Sequence, residues 1–323
     1  MKNTNQSQLP RPLDAERHDI RDVQAGHIVY YSNAPSPRSS TIASPADETP
    51  LLLLHSINAA ASAHEVKPLY DAYTEKRPVY AIDLPGYGAS ERSKRPYLPQ
   101  LMVDAIHAIV RDIQSRHPGK PIDALAVSLS CEFLARVAYE KPEAIRSLAL
   151  VSSTGFRQTT ATHGPPQANR GRPVLYRLLN SPLYGTLLFR VLTSPPSIRL
   201  FLRKTSGSKH IDEGMFEFAC RTAREPGAHR APFHFLSGYL TSADIRSIFI
   251  ALTQPVWLCH GVRGDFTDFS RTEAIEHKPN WKHSVFQTGA LPYFEEPRAF
   301  IEDYDSFLAE VEAGRPVNAS VSG

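Results

Sequence analysis

Cysteine is scarce in this chain of 323 residues, and its three copies (Cys131, Cys220, Cys259) have no metal-ligand spacing. Two of them sit in apolar runs, which implies buried free thiols in a reducing compartment rather than a disulfide framework. No apolar run is long enough to cross a bilayer. The N-terminal stretch Met-Lys-Asn-Thr-Asn-Gln-Ser-Gln lacks the apolar core of a signal peptide, so a cytoplasmic location is expected. Net charge is only +3 and is dispersed, which argues against nucleic acid as a partner. No glycine loop opens a helix in the context that cradles phosphates, so a nucleotide reading fails too. What remains, 41% hydrophobic and 21% charged, is the balance of a globular protein with one large domain or a domain carrying an insertion.

Residues 1 to about 22 are polar and proline-punctuated and read as a loose leader. His27–Tyr31 reads as a strand, and Asn33–Pro50, rich in Ser, Pro and Ala, as a surface loop. Four consecutive leucines, Leu51–Leu54, predict a central strand buried on both faces and ending at the turn His55-Ser-Ile-Asn58. A helix is expected over Ala59–Tyr73 and a strand over Pro78–Ile82. The next turn, Asp83-Leu-Pro-Gly-Tyr-Gly-Ala-Ser90, has two glycines that take positive φ cheaply. Helical spacing over Tyr97–Arg116 precedes a further strand, Ile122–Val127. Strands alternating with helices imply a mostly parallel sheet with helices on both faces.

The Ile122–Val127 run stops abruptly at Ser128, and a helix-forming segment, Cys131–Glu140, follows and ends before Pro142. A strand, one serine at a tight corner and a helix form a nucleophile elbow, which lifts the serine oxygen above the sheet at a helix N-terminus. The residues two before and two after must be small; here they are Ala126 and Ser130, not glycines.

His55-Ser-Ile-Asn58, Asp83–Ser90 and Ala126-Val-Ser-Leu-Ser130, in this order and spacing, resemble the α/β-hydrolase superfamily. Gln254-Pro-Val-Trp-Leu-Cys-His-Gly261 resembles that family's strand leading to the catalytic acid, and Gly289-Ala-Leu-Pro-Tyr-Phe-Glu-Glu-Pro297 its histidine loop. The resemblance covers roughly 50–155 and 240–312. It implies an α/β-hydrolase fold with a mostly parallel eight-stranded sheet flanked by helices and an inserted helical lid. The expected division is 1–45 for an N-terminal extension and first strands, 46–155 and 241–323 for the core, and 156–240 for the lid. The fold alone hosts many chemistries.

The resemblance assigns Ser128 as nucleophile, with the backbone N–H groups of Leu129 and Ile57 as oxyanion donors. Asn58 is either an added contact or a turn stabiliser, and His55 a brace for its loop. Asp265 is the preferred acid over Asp268, although it falls one residue later than the family's spacing, with Gly264 absorbing the extra residue. The histidine is missing, because the family's Gly-His-Leu-Pro reads Gly289-Ala-Leu-Pro292 here and Ala290 stands where the general base belongs. A serine hydroxyl without a base is a weak nucleophile at neutral pH, and in a serine protease loss of the histidine costs on the order of a million-fold in turnover. Of the remaining histidines, His234 in the lid and His64 after the oxyanion turn are the candidate substitutes. His260 and His283 belong to strands, His277 to a surface helix, and His229 lies near the lid. Tyr293 is a possible proton donor or a packing residue.

Lid residues Leu187, Leu188, Phe189, Phe201, Phe216 and Phe218 either line a pocket or pack the lid on the core. The lid arginines either meet an anionic substrate or form a solvated face. Three functional readings stay open. The first is a hydrolase of carboxylic esters or thioesters with an incomplete triad, Ser128 and Asp265 retained. The second is a lyase, cyclase or proton-transfer enzyme using the oxyanion hole. The third is a pseudoenzyme that binds a small ligand or protein partner. The expected ligand is a mid-sized, largely apolar acyl compound, and the chemistry calls for no metal or organic cofactor.

Overall fold

The computed structural model describes residues 9–34, 49–156, 165, 167–264 and 268–317. Its strands are β1 (Glu16–Asp22), β2 (Gly26–Ser32), β3 (Leu51–Leu54), β4 (Val79–Asp83), β5 (Ile122–Val127), β6 (Ile145–Val151), β7 (Val256–Gly261) and β8 (Trp281–Phe286). The first three helices are α1 (Lys67–Tyr73), α2 (Pro99–Arg116) and α3 (Ser130–Glu140). Six follow between β6 and β7: α4 (Pro173–Leu179), α5 (Gly185–Leu192), α6 (Pro195–Ser206), α7 (Glu213–Thr222), α8 (Arg230–Leu236) and α9 (Ile245–Ala251). The last are α10 (Glu273–Glu276), α11 (Pro292–Glu295) and α12 (Pro297–Glu312).

All eight strands join one sheet in the order β1-β2-β4-β3-β5-β6-β7-β8. The β1–β2 and β2–β4 pairs are antiparallel and the other pairs parallel. Because side chains alternate along a strand, the four leucines of β3 divide between the two faces. Leu52 and Leu54 enter a core with Ala124, Ala126, Leu148 and Leu150, covered by α2, α3 and α9. Leu51 and Leu53 enter the opposite core with Leu125, Val127 and Val151, covered by α1 and α12. No helix among the described residues is long and apolar enough to cross a membrane.

Two local expectations are corrected. The leader expected to run to residue 22 contains β1, which pairs with β2 over its whole length. It escaped notice because an edge strand needs only one neighbour and carries exposed polar residues without penalty. The helix expected over Ala59–Tyr73 starts late, with a single tight turn at Ala63–Val66 before α1. Asn58 Oδ1 accepts the Ala60 N–H at 2.7 Å, which turns the backbone out of helical conformation there. Most of the expected loop Asn33–Pro50, residues 35–48, lies outside the described residues.

A buried ionic cluster joins β4, β5 and β6 at their N-terminal ends. Asp123 is fully buried and accepts from Arg77 Nη2 at 2.5 Å, Arg146 Nη2 at 2.6 Å and Ser147 Oγ at 2.6 Å. Burial opposes ionisation of its carboxyl, but the hydrogen bonds and charges of Arg146 and Arg77 outweigh it and hold the pKa below the ordinary aspartate value. Asp123→Ala, which leaves two partly buried guanidinium groups uncompensated, is expected to cost about 3–5 kcal/mol of unfolding free energy in a urea titration. Since the folded pKa is depressed, the contribution is full above the unfolded aspartate pKa of about 4 and disappears as pH falls through the folded value. The gap between wild type and variant should therefore be constant from pH 5 to 7 and shrink below pH 4.

Candidate active site

β5 ends at Val127, and the chain reverses through Ser128 at φ +56° before α3 begins at Ser130. A non-glycine residue in this left-handed region costs on the order of 1–2 kcal/mol, so neighbouring contacts must hold it there. The Ser128 N–H donates to the Val151 carbonyl at the end of β6 at 2.8 Å. Ser130 Oγ donates to the His55 carbonyl at 2.6 Å, tying the elbow to the turn after β3. Ser130 is thus small enough for the close approach and also uses its hydroxyl, which a glycine would not supply. Ala126 is fully buried, and its carbonyl accepts from Cys131 Sγ at 3.2 Å.

The turn after β3 is fixed by a residue that sequence reasoning passed over. Buried Glu65 accepts the Ser56 N–H at 2.9 Å and Asn58 Nδ2 at 2.6 Å. His55 donates from Nδ1 to the Ser56 carbonyl at 2.6 Å and accepts the Leu84 N–H at Nε2 at 3.0 Å, so it braces the loop as a neutral imidazole. Asn58 stabilises the turn, meeting Ser56 Oγ as well as Glu65. The signal for Glu65 was present: Ser62 caps the tight turn and Glu65 follows three residues later, the spacing of a capping box. Here the carboxyl reaches past the cap to Ser56. In this arrangement the N–H groups of Leu129 and Ile57 meet no acceptor among the described residues.

The Asp83–Ser90 turn supports the same end of the sheet. Asp83 accepts from the Ala63 N–H at 2.7 Å and the Ala89 N–H at 2.8 Å. Gly88 has φ +48°, and a Cβ there would lie 1.9 Å from the Asp83 carboxyl carbon, so only glycine fits.

The remaining candidates do not gather at Ser128. Its hydroxyl has no hydrogen-bond partner among the described residues, histidines included. His64 donates from Nδ1 to the Pro12 carbonyl at 3.0 Å and stacks on Phe218. His234 donates to the Arg230 carbonyl at 2.8 Å and packs among Tyr97, Tyr176 and Tyr239; burial lowers its pKa. His260 stacks on Phe269 with ring centres 3.7 Å apart, and burial lowers its pKa and that of His283 beside it. His229 packs against Phe189 and Phe233. Tyr293 is a core residue whose hydroxyl donates to the Glu65 carbonyl at 3.0 Å. Asp265 lies outside the described residues, and exposed Asp268 accepts from the Ser270 N–H and hydroxyl, stabilising a turn.

The loop bearing Ala290 is held against the end of α6. The Ala290 N–H donates to the Thr205 carbonyl at 3.0 Å, and its carbonyl accepts from Ser152 Oγ at 2.6 Å. A Cβ on Gly289 would lie 2.4 Å from the Ser206 Cα and carbonyl oxygen, and one on Gly264 2.6 Å from the Lys204 carbonyl. The loops after β7 and β8 therefore both close on one turn of the inserted helices, backbone against backbone.

A cavity of about 200 Å³ lies between the turn after β3 and these helices. Asn58, His64 and Glu65 give it one polar side, and Phe189, Ile198 and Met215 are among its apolar walls. Phe201 also lines it, but Leu187, a candidate lining residue from sequence, faces solvent. The lining reaches the turn beside Ser128 and stops short of Ser128 itself. Among the described residues no cluster of side chains has the makings of a metal site.

Residues 49–207 match a sequence-family model described as alpha/beta hydrolase fold. No curated protein sequence matches the chain. Among solved structures, a probable hydrolytic enzyme from Pseudomonas aeruginosa PAO1 superposes with TM-score 0.69 at 16% identity, covering 92% of this chain and 95% of that one. An esterase from Exiguobacterium antarcticum gives TM-score 0.66 at 15% identity over 90% of this chain and 98% of its own. A meta-cleavage product hydrolase from Pseudomonas fluorescens IP01 gives 0.65 at 14% identity over 91% and 97%.

Gly289→Ala tests the contact between α6 and the Ala290 loop. The added methyl should cost about 1–3 kcal/mol in urea unfolding and speed hydrogen exchange of amides at 203–207. Unchanged stability and exchange would mean the two backbones are not in contact.

Proposed function

The chain has the α/β-hydrolase fold, and we propose that it is a slow serine-type hydrolase of a carboxylic ester or thioester with a largely apolar acyl group. The observation that carries this reading is Ser128 held at φ +56° at the head of α3, with the Leu129 and Ile57 N–H groups meeting no acceptor among the described residues. Strain of this kind persists where surrounding structure enforces it, and it gathers at functional corners. In the proposed reaction Ser128 Oγ attacks the acyl carbon and the two N–H groups take the charge developing on the carbonyl oxygen. The leaving group departs with a proton, and water then releases the acid from the acyl-serine. The inserted helices act as the lid, and the cavity beside the oxyanion turn takes the acyl chain.

Ala290 sets the rate. With no base on that loop, the oxyanion hole and substrate binding supply roughly the thousand- to ten-thousand-fold over water that survives triad loss in serine proteases. One observation favours a second reading, a non-hydrolytic ligand-binding protein: no imidazole is hydrogen-bonded to the Ser128 hydroxyl among the described residues.

A fluorophosphonate probe separates the two. Slow labelling of wild type that disappears in Ser128→Ala is expected, with Ala290→His labelling at least about a hundredfold faster, the usual scale of a positioned base. Absence of labelling in both wild type and Ala290→His would favour ligand binding. The pH profile of ester hydrolysis is a further check. Without an imidazole base the rate should keep climbing from pH 7 to 9. Were His234 the base, its burial-lowered pKa would leave it mostly neutral and active already at pH 7, and the profile would level off instead of climbing.

A further inference from the structure

The helices inserted between β6 and β7 turn apolar side chains outward. On α5, Tyr184, Leu187 and Val191 are spaced as neighbours on one helical face and are exposed, Leu187 at 64% and Val191 at 59%. Gly185 and Phe189 face inward. Val174 and Leu178 are exposed on α4, Leu183 is 92% exposed between the two helices, and Leu200 and Phe201 are exposed on α6. A helix lying on a globular core ordinarily presents a polar outer face. A gathering of exposed apolar residues marks a surface that meets something.

The charges along the stretch that carries α4, α5 and α6 have one sign. Between Ala144 and Ile211 the chain has no aspartate or glutamate. Arg172, Arg177 and Arg190 are exposed and make no salt bridge among the described residues. The patch is also continuous with the apolar cavity, because Leu192, Phe201 and Leu236 are exposed and line it as well.

We infer that this face docks on an anionic phospholipid surface. Leu183, Leu187 and Val191 enter the boundary of the acyl chains, the arginines meet headgroup phosphates, and the cavity mouth opens toward the lipid. Charge complementarity selects this occupant over a second copy of the chain, since a two-fold contact through this face would set its arginines against their own copies.

The test is co-sedimentation of the full chain with vesicles of phosphatidylglycerol and phosphatidylcholine, beside vesicles of phosphatidylcholine alone. Partition onto the anionic vesicles is expected to be at least about tenfold stronger and to weaken with added salt. The double variant Arg177→Gln/Arg190→Gln should lose roughly tenfold on anionic vesicles. Leu187→Asp/Val191→Asp should lose at least as much while keeping the wild-type melting temperature, because both side chains face solvent. Equal partition onto both vesicle types, or none, would overturn the inference. So would a dimer in sedimentation velocity that Leu187→Asp/Val191→Asp dissociates in the absence of vesicle binding. Partition is read without turnover, so it stands or falls apart from the chemistry at Ser128.

Discussion

The arrangement turns on one backbone constraint, the left-handed corner at Ser128. A strand can pass directly into a helix there only if neighbours hold the corner shut. Two hydrogen bonds to neighbouring segments do so: the Ser128 N–H to Val151 at the end of β6, and Ser130 Oγ to His55 in the turn after β3. The second also fixes the separation between the elbow and the turn after β3. Two otherwise unrelated N–H groups, those of Leu129 and Ile57, are thereby left without partners among the described residues at one end of the sheet. The placement is a consequence of strand order, since β3 and β5 are parallel neighbours and end together.

Buried carboxyl groups are used throughout as ties between loops. Glu65 closes the turn after β3, and Asp83 joins the β4 turn to Ala63 and Ala89. Glu132, at the start of α3, accepts from Thr154 and the Ser242 N–H and so links that helix to the segment after α8. Burial raises the pKa of Glu132, whereas two arginines depress that of Asp123. The difference follows from the partners: a guanidinium offsets the desolvation of a charge more fully than a hydroxyl and one N–H do. Each carboxyl has several donors, as a buried acceptor requires.

At the Ala290 loop, glycines at 264 and 289 let backbone pack on backbone, and the end of α6 occupies that space. The Ala290 loop is consequently among the more tightly held parts of the candidate site. The inserted helices are fastened to the core at the end of α6 and also carry exposed apolar residues.

Much of the fold was legible in the sequence because its signals are local. The leucine run of β3, the strand–serine–helix order at Ser128 and the Gly86/Gly88 turn each follow from side-chain periodicity or backbone permissiveness within about ten residues. The same holds for the absence of a histidine at position 290. Other features depended on long-range contacts. β1 is a strand only because β2 lies beside it, and the expected helix from Ala59 yields to a turn because Asn58 bonds Glu65 and Ala60. That no described histidine is hydrogen-bonded to Ser128 was likewise decided by tertiary structure: His64 and His234 are spent on backbone carbonyls and aromatic neighbours. A sequence specifies which side chains can move a proton; whether two of them come within hydrogen-bonding reach is set by how distant segments pack.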